Sequence, residues 1–575
     1  MRRETEASAP ENGPAAPMVS TTGLPAGARS WLRRPLVAAL VLLLVYVGLS
    51  FLNDTRGYLG TDTGGKVATL KVMAERGDLD PDVGYWARDW DAEGRVHGFF
   101  YTSHIGDRYV NITSLPMVLA GEPLYRLGGY RLALLVPMAG SILAAFAARA
   151  ISRRVRDGDG WAAFWIVGLA SPMTIYALDF WEHSLGAGLL AWAAVVLWDA
   201  VEARFMWWKG LAAGALIGAA FSMRTEALAF GFAMVGLACI VLVVRRRNGG
   251  AALVTGTGAV VGLALLIAGN AALEWAVLGS TFRSGRAQGA ASAGGGDSLL
   301  RLKEAVITTM SPVSSFGAEA YVLGACLTVA LAYLVWCSAH RRKGFVPIAL
   351  AAVVGLVYLI RFSSWRGFIP GLVATTPLAV AGVVLGWARL SGRLFVAFAL
   401  VPLPLVFYFQ FAGGALPQWA GRYILTTGVI LVAVGAACLP RLELWVRRFL
   451  VGLSVAVTVS GLVWLSVRSH EVARAAEVLE GRPEAVLISP DGFVPREFGG
   501  SYGRKNWLAS SNSNDLQFAA QVALASGAPT LGLVALDVEQ APPAFDGWQI
   551  SGSELVPFLA HTELRVTTYT SRAEP

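Results

Sequence analysis

The stretch GYLGTDTGGKVATLKVM, residues 57–73, presents an aspartate, two glycines and a lysine immediately after the first long apolar run. A carboxylate there can take a proton from a hydroxyl as a general base, and glycines let a substrate come close to the backbone. The stretch resembles a phosphate-cradling loop but lacks the spacing of a nucleotide P-loop. Asp62 also reads as a helix cap, a common job for aspartate. Four further stretches carry chemistry. YALDFWEHSLGAG (176–188) brings Asp179, Glu182 and His183 beside Trp181, and ionisable groups at membrane depth mark functional sites. FSMRTEAL (221–228) holds Arg224 and Glu226, which read either as a site or as an ion pair closing a tight turn. RFSSWRG (361–367) and WAGRYILTTG (419–428) supply Arg361, Arg366, Arg422 and Tyr423. Arginine holds a phosphate through its planar fork of donors, or snorkels to headgroups.

These residues must be positioned by a membrane scaffold. Of 575 residues 55% are apolar and 15% charged, with mean hydropathy +0.54, whereas soluble domains carry about a quarter charged residues. Apolar runs near 35–52, 131–151, 161–178, 184–200, 210–222, 227–244, 251–275, 318–338, 345–361, 368–388, 393–411, 423–440 and 449–467 predict about 13 transmembrane helices. The first run, with no small-residue cleavage site after it, reads as a retained anchor. The four cysteines lie in or beside apolar runs and form no disulfide framework or metal spacing.

The net charge of +8 comes from arginines in short loops between apolar runs, which are orientation signals and exclude nucleic acid as the partner they imply. Arg33 and Arg34 set the amino terminus in the cytoplasm, and ARAISRRVR (148–156), RRR (245–247), HRRK (340–343), ARLSGR (388–393) and RLELWVRR (441–448) fall on the same side. The loop 53–130 and all four chemical stretches then face outward, where there is no nucleotide to bind. An odd number of spans also puts the carboxy-terminal tail outside. Its strand-like AVLIS (485–489), helical NDLQFAAQVALASG (514–527) and strand-like PTLGLVAL (529–536) predict a small α/β domain. The expected architecture is an all-α polytopic module, 31–467, after a disordered cytoplasmic segment, 1–30, and before an extracytoplasmic α/β domain, 468–575. KVATLKVMAERG predicts a short interfacial helix with Val67, Leu70 and Ala74 on one stripe.

An acid early in a long first outer loop (Asp62), an acidic turn before the fourth span (DFWEH), an Arg-Glu turn (RTE) and an arginine-tyrosine pair opening a late span (GRY) together resemble the GT-C superfamily of integral-membrane glycosyltransferases. Its members use polyprenyl-phosphate sugars and include protein mannosyltransferases and lipid A aminoarabinose transferases. The resemblance implies an inverting transfer to an acceptor hydroxyl with Asp62 as base. It assigns the carrier phosphate to Lys66 and Arg422, and acceptor orientation or metal binding to Glu182. His183, Arg224, Glu226, Arg366 and Tyr423 become donor- or acceptor-binding residues, with Tyr101 to Pro116 as acceptor lining. Many relatives carry adjacent acids in the first loop, whereas Thr63 and Gly64 follow Asp62 here. Some relatives use a divalent ion bridged by several acids; the outer acids here are sparse, and Mg or Mn stays open as a cofactor.

The implied partners are a polyprenyl-phosphate sugar, a cell-envelope glycan, lipid or protein acceptor, and membrane lipids. Abundant Ala, Gly, Val and Arg point to a GC-rich bacterium and its plasma membrane. Three alternatives remain: an undecaprenyl-diphosphate glycan ligase or polymerase, a secondary transporter, and a scaffold for cell-wall assembly. A transporter predicts internal repeats and polar groups in mid-membrane; no clear repeat is visible, and the polar groups collect at one surface.

Overall fold

The computed structural model describes residues 34–202, 207–281, 298–313, 315, 317–364, 371–410, 419–510, 513–536, 538–559 and 562–572. The chain forms two compact units, residues 1–41 and 42–575. Among the described residues the first holds only the start of helix α1 (Pro35–Ser50), and the second holds everything that builds the site.

Helices occupy each apolar run. Among the described residues nine are long and apolar enough to cross a membrane, while Pro35–Ser50 and Pro377–Ala388 are shorter. Three of the interruptions in these runs have a proline at the break. The run 161–178 becomes Trp161–Leu169 and Pro172–Tyr176, with Ser171 capping the second piece by accepting from the Met173 amide. Pro377 and Pro402 stand at the corresponding breaks later in the chain. Proline removes a backbone donor and turns the residue before it away from helix, so each break is written in the sequence. Where two long helices run side by side the residues are small. A Cβ added at Gly214 would fall 1.9 Å from the Ala259 carbonyl oxygen, and one at Gly262 would fall 2.1 Å from that of Leu211. Only glycine lets helices Trp207–Met223 and Gly249–Leu278 approach so closely.

The last helix, Leu444–Gly481, runs for 38 residues without interruption and carries the chain from the bundle into a five-stranded sheet. After a short hairpin in the first loop, β1 (Ser103–Ile105) and β2 (Arg108–Val110), the sheet strands are β3 (Val486–Ser489), β4 (Asn506–Ala509), β5 (Thr530–Ala535), β6 (Trp548–Pro557) and β7 (Glu563–Ser571). Their order is β4-β3-β5-β7-β6, parallel among β4, β3 and β5 and antiparallel beyond. Strand β3 reads VLIS because both faces are covered. Val486 and Ile488 pack with Leu508, Ala519, Ala523, Tyr85 and Tyr109 on one side, whereas Leu487 packs with Val472, Ala476 and Leu479 of the long helix on the other. The sheet is thus held between the end of that helix and a layer made by helix Ser513–Ala525 and the first loop. Trp86 Nε1 donates to the Trp507 carbonyl at 3.1 Å, and the Tyr502 hydroxyl to that of Gly84 at 3.0 Å.

Candidate active site

Helix α2 (Thr61–Arg76) starts after Gly60, which has no side chain to cap it, and Asp62 lies in its first turn. An interfacial helix would leave its basic positions in contact with headgroups. Instead every residue from Thr63 to Leu70 is buried, Lys66 included. The glycines have a different job from the one their freedom suggests. A Cβ at Gly64 would fall 1.7 Å from the Arg496 carbonyl oxygen, and one at Gly499 would fall 1.9 Å from that of Gly64. They allow backbone to meet backbone between α2 and the carboxy-terminal region, rather than opening the loop to a substrate.

That contact delivers Arg496 to the acid. Asp62 Oδ2 accepts from Arg422 Nη1 at 3.0 Å, and its Oδ1 from Arg496 Nη2 at 3.2 Å. The Asp62 side chain keeps 15% of its surface exposed, and those of Arg422 and Arg496 keep 12% and 3%. Beside this clamp, Lys66 Nζ meets Glu182 Oε2 at 2.5 Å, and neither side chain is exposed at all. Arg224 Nη1 donates to Glu182 Oε1 at 3.1 Å, and Arg224 Nε to Glu226 Oε1 at 3.0 Å. The expected Arg-Glu turn is therefore both a local ion pair and part of a larger cluster. Burial alone would raise the Glu182 carboxyl, but the Lys66 ammonium and the Arg224 guanidinium outweigh it and hold the group below the usual carboxylate range. With both oxygens engaged inside the protein, Glu182 is not open to an acceptor, so the role of orienting one does not fit it.

Aromatic rings complete the cluster. The Tyr423 ring lies 5.0 Å from the Arg224 guanidinium carbon and 4.8 Å from that of Arg422, and Trp181 lies 5.7 Å from the latter. His183 is buried against Trp181 and Tyr176, with ring centroids 4.7 and 5.6 Å away. Both His183 nitrogens and the Trp181 indole nitrogen are buried without a hydrogen-bond partner among the described residues. Asp179 accepts from the Leu59 amide at 3.0 Å, from the Thr63 hydroxyl, and from the Tyr130 hydroxyl at 3.2 Å. Burial pushes its carboxyl above the usual range, against those hydrogen bonds.

The structure thus brings together Asp62, Lys66, Glu182, His183, Arg224, Glu226, Arg422 and Tyr423, while Arg366 lies outside the described residues. Arg496 carries no signal of its own in the sequence: it sits 434 positions from Asp62, in a segment of soluble composition. The donor set does not suit a divalent cation. Asp62 faces two arginines and Glu182 a lysine and an arginine, and no group of three Asp, Glu, His or Cys among the described residues could hold a metal.

The chain is similar to several solved structures. Over 94% of its length the chain is similar to 98% of ArnT from Cupriavidus metallidurans, at 15% identity and a TM-score of 0.43. The same protein bound to undecaprenyl phosphate gives 14%, over 94% of this chain and 98% of that one, with a TM-score of 0.41. An Archaeoglobus fulgidus oligosaccharyltransferase tethered to an acceptor peptide containing the NVT sequon aligns with 88% of this chain and 69% of its own, at 10% identity and a TM-score of 0.47. No protein-family model matches the chain, and no curated protein matches it.

Proposed function

We propose that this chain is a GT-C-type membrane glycosyltransferase that moves a sugar from a polyprenyl-phosphate carrier to the hydroxyl of an extracytoplasmic cell-envelope acceptor. One observation carries the reading: a partly exposed carboxylate held between two arginines, Asp62 between Arg422 and Arg496, next to a fully buried lysine–glutamate–arginine group. Group transfer from a phosphate needs an acid–base residue and cations within one substrate's reach, at a place nucleotides do not visit. The membrane topology that goes with this reading has thirteen spans, a cytoplasmic amino terminus and an outer domain from about residue 468.

In this mechanism the carrier phosphate competes with Asp62 for the guanidinium donors of Arg422, since phosphate oxygens accept the same forked hydrogen bonds. An Asp62 oxygen released in this way takes the proton of the acceptor hydroxyl. The acceptor oxygen forms its bond to the anomeric carbon as the carbon–phosphate oxygen bond breaks. The phosphate departs with the bonding electrons, and Arg422 stabilises its charge, while Lys66 stays paired with Glu182. Glu182 serves as a positioning residue that fixes Lys66 and Arg224.

The test incubates purified protein in nanodiscs with a panel of polyprenyl-phosphate sugars and crude envelope glycans, and measures free polyprenyl phosphate. Turnover of one donor by wild type and not by Asp62→Asn is expected. Undiminished turnover by Asp62→Asn removes Asp62 as the base. Release of polyprenyl diphosphate from polyprenyl-diphosphate glycans added as alternative donors, with no turnover of the monophosphate sugars, makes the chain a glycan ligase.

A further inference from the structure

Val67, the residue after Lys66, helps to line a second space of about 310 Å³, whose walls also include Arg56, Arg131, Tyr58, Tyr125 and Tyr130. A break in helix α3 (Leu115–Ala133) shapes one wall: Gly128 and Gly129 leave helical geometry, the latter at φ 67°. None of the lining residues is acidic. Arg131 donates to the Ser50 carbonyl at 2.8 Å and the Asn53 carbonyl at 3.4 Å, stacks on Phe51 at 4.5 Å, and pairs with no carboxylate among the described residues. Among the described residues the Arg56 side chain has only loose ion-pair partners, Asp54 at 3.6 Å and Glu477 at 3.8 Å. The Tyr58 side chain is fully buried, and its hydroxyl has no hydrogen-bond partner among the described residues. It lies beside Gly500, another wall residue, where a Cβ would come within 2.4 Å of it. A buried hydroxyl without a partner is costly, and a bound ligand that pairs with it recovers that cost.

We infer that this cavity is a second binding site, distinct from the Asp62 centre, for a phosphate ester: two guanidiniums supply charge, Tyr58 a neutral donor, and the tyrosine rings an apolar wall. Its volume is at the small end of ligand pockets, which suits a headgroup rather than a whole lipid. Arg131 rests on Phe51 at the end of α1, where Phe51 and Leu52 are exposed apolar side chains, so the pocket stands beside a lipid-facing surface. The phosphate is either carried by a lipid of that leaflet or free in solution. The inference holds whether or not the chain transfers a sugar.

Native mass spectrometry of the full chain in a neutral detergent tests it, with short-chain phosphatidic acid, glycerol 3-phosphate and the matching diacylglycerol as probes. One phosphatidic acid retained per chain, with glycerol 3-phosphate displacing it poorly, identifies a lipid-borne phosphate; tight glycerol 3-phosphate binding identifies the free source. Diacylglycerol is expected not to bind. Arg131→Gln should weaken binding about tenfold or more and Tyr58→Phe about threefold. Tyr58→Phe removes one unpartnered oxygen and keeps the test open if Arg131→Gln does not fold. Binding of no phosphate probe, equal binding of diacylglycerol, or loss in Arg422→Gln but not in the pocket variants overturns the inference.

Discussion

Two ion-paired groups stand side by side on α2 and differ chiefly in depth. Lys66, Glu182 and Arg224 are sealed from solvent, whereas Asp62 with Arg422 and Arg496 keeps an open edge. A sealed pair cannot exchange partners without exposing a bare charge to a low-dielectric interior, so it acts as framework. An open pair can trade one partner for an incoming anion at little cost. Two sets of the same residue types thus divide into support and chemistry by burial, and sequence does not report burial for charged residues.

Breaking the sealed group should have the largest effect. Glu182→Gln leaves Lys66 and Arg224 short of a buried counter-charge and is expected to cost about 3–5 kcal/mol, read as a large fall in thermal stability in detergent. Replacing Lys66 by Met in the same chain should recover part of that loss; no recovery would mean the pair is not the support. Asp62→Asn is expected to lower sugar transfer about 10³-fold while the melting temperature moves little. A melting temperature that fell as far as in Glu182→Gln would erase the distinction between the two groups.

The seam that delivers Arg496 has its own pH signature. His97 is buried where the first loop meets β4, pairing with Leu508, and burial lowers its imidazole to about 4 despite a hydrogen bond with the Gly84 carbonyl. The unfolded chain takes up that proton near pH 6.5 and the folded one only near pH 4. Stability is therefore full above pH 6.5 and declines as pH falls toward 4, by about 3 kcal/mol in all. Unfolding curves across that window should show the slope in wild type and lose most of it in His97→Gln. The smallest effect is expected from Arg496→Lys, which keeps the charge but not the planar fork: kcat/KM should fall about tenfold, with stability nearly unchanged.

Much of this is legible in the amino-acid sequence. Proline at 172, 377 and 402 marks the helix breaks, and VLIS announces a strand covered on both faces. Asp62, Glu182 and Arg422 stand out because charge at the ends of apolar runs is rare and costly. Lys66 misleads, since KVATLKVMAERG has the pattern of a surface helix and only the packing of the acidic turn against it shows that it is buried. Gly64 misleads in the opposite sense, its freedom serving a protein contact. Arg496 could not be found, because its pairing depends on how a sheet docks on a loop more than 400 residues earlier.

The unbroken helix Leu444–Gly481 has a consequence for the lipid around the protein. At 1.5 Å per residue, its 38 residues make a rod about 57 Å long. Its far end packs under the sheet, and the connection between β3 and β4 carries Arg496. A bilayer that is too thin or too thick for the apolar part of such a rod tilts it, and a tilt of a few degrees at that length moves the far end by several ångströms. The rod therefore couples membrane thickness to the distance between Arg496 and Asp62. Transfer rates measured in nanodiscs of graded acyl length should pass through a maximum, and a flat profile would show that the rod does not transmit the mismatch.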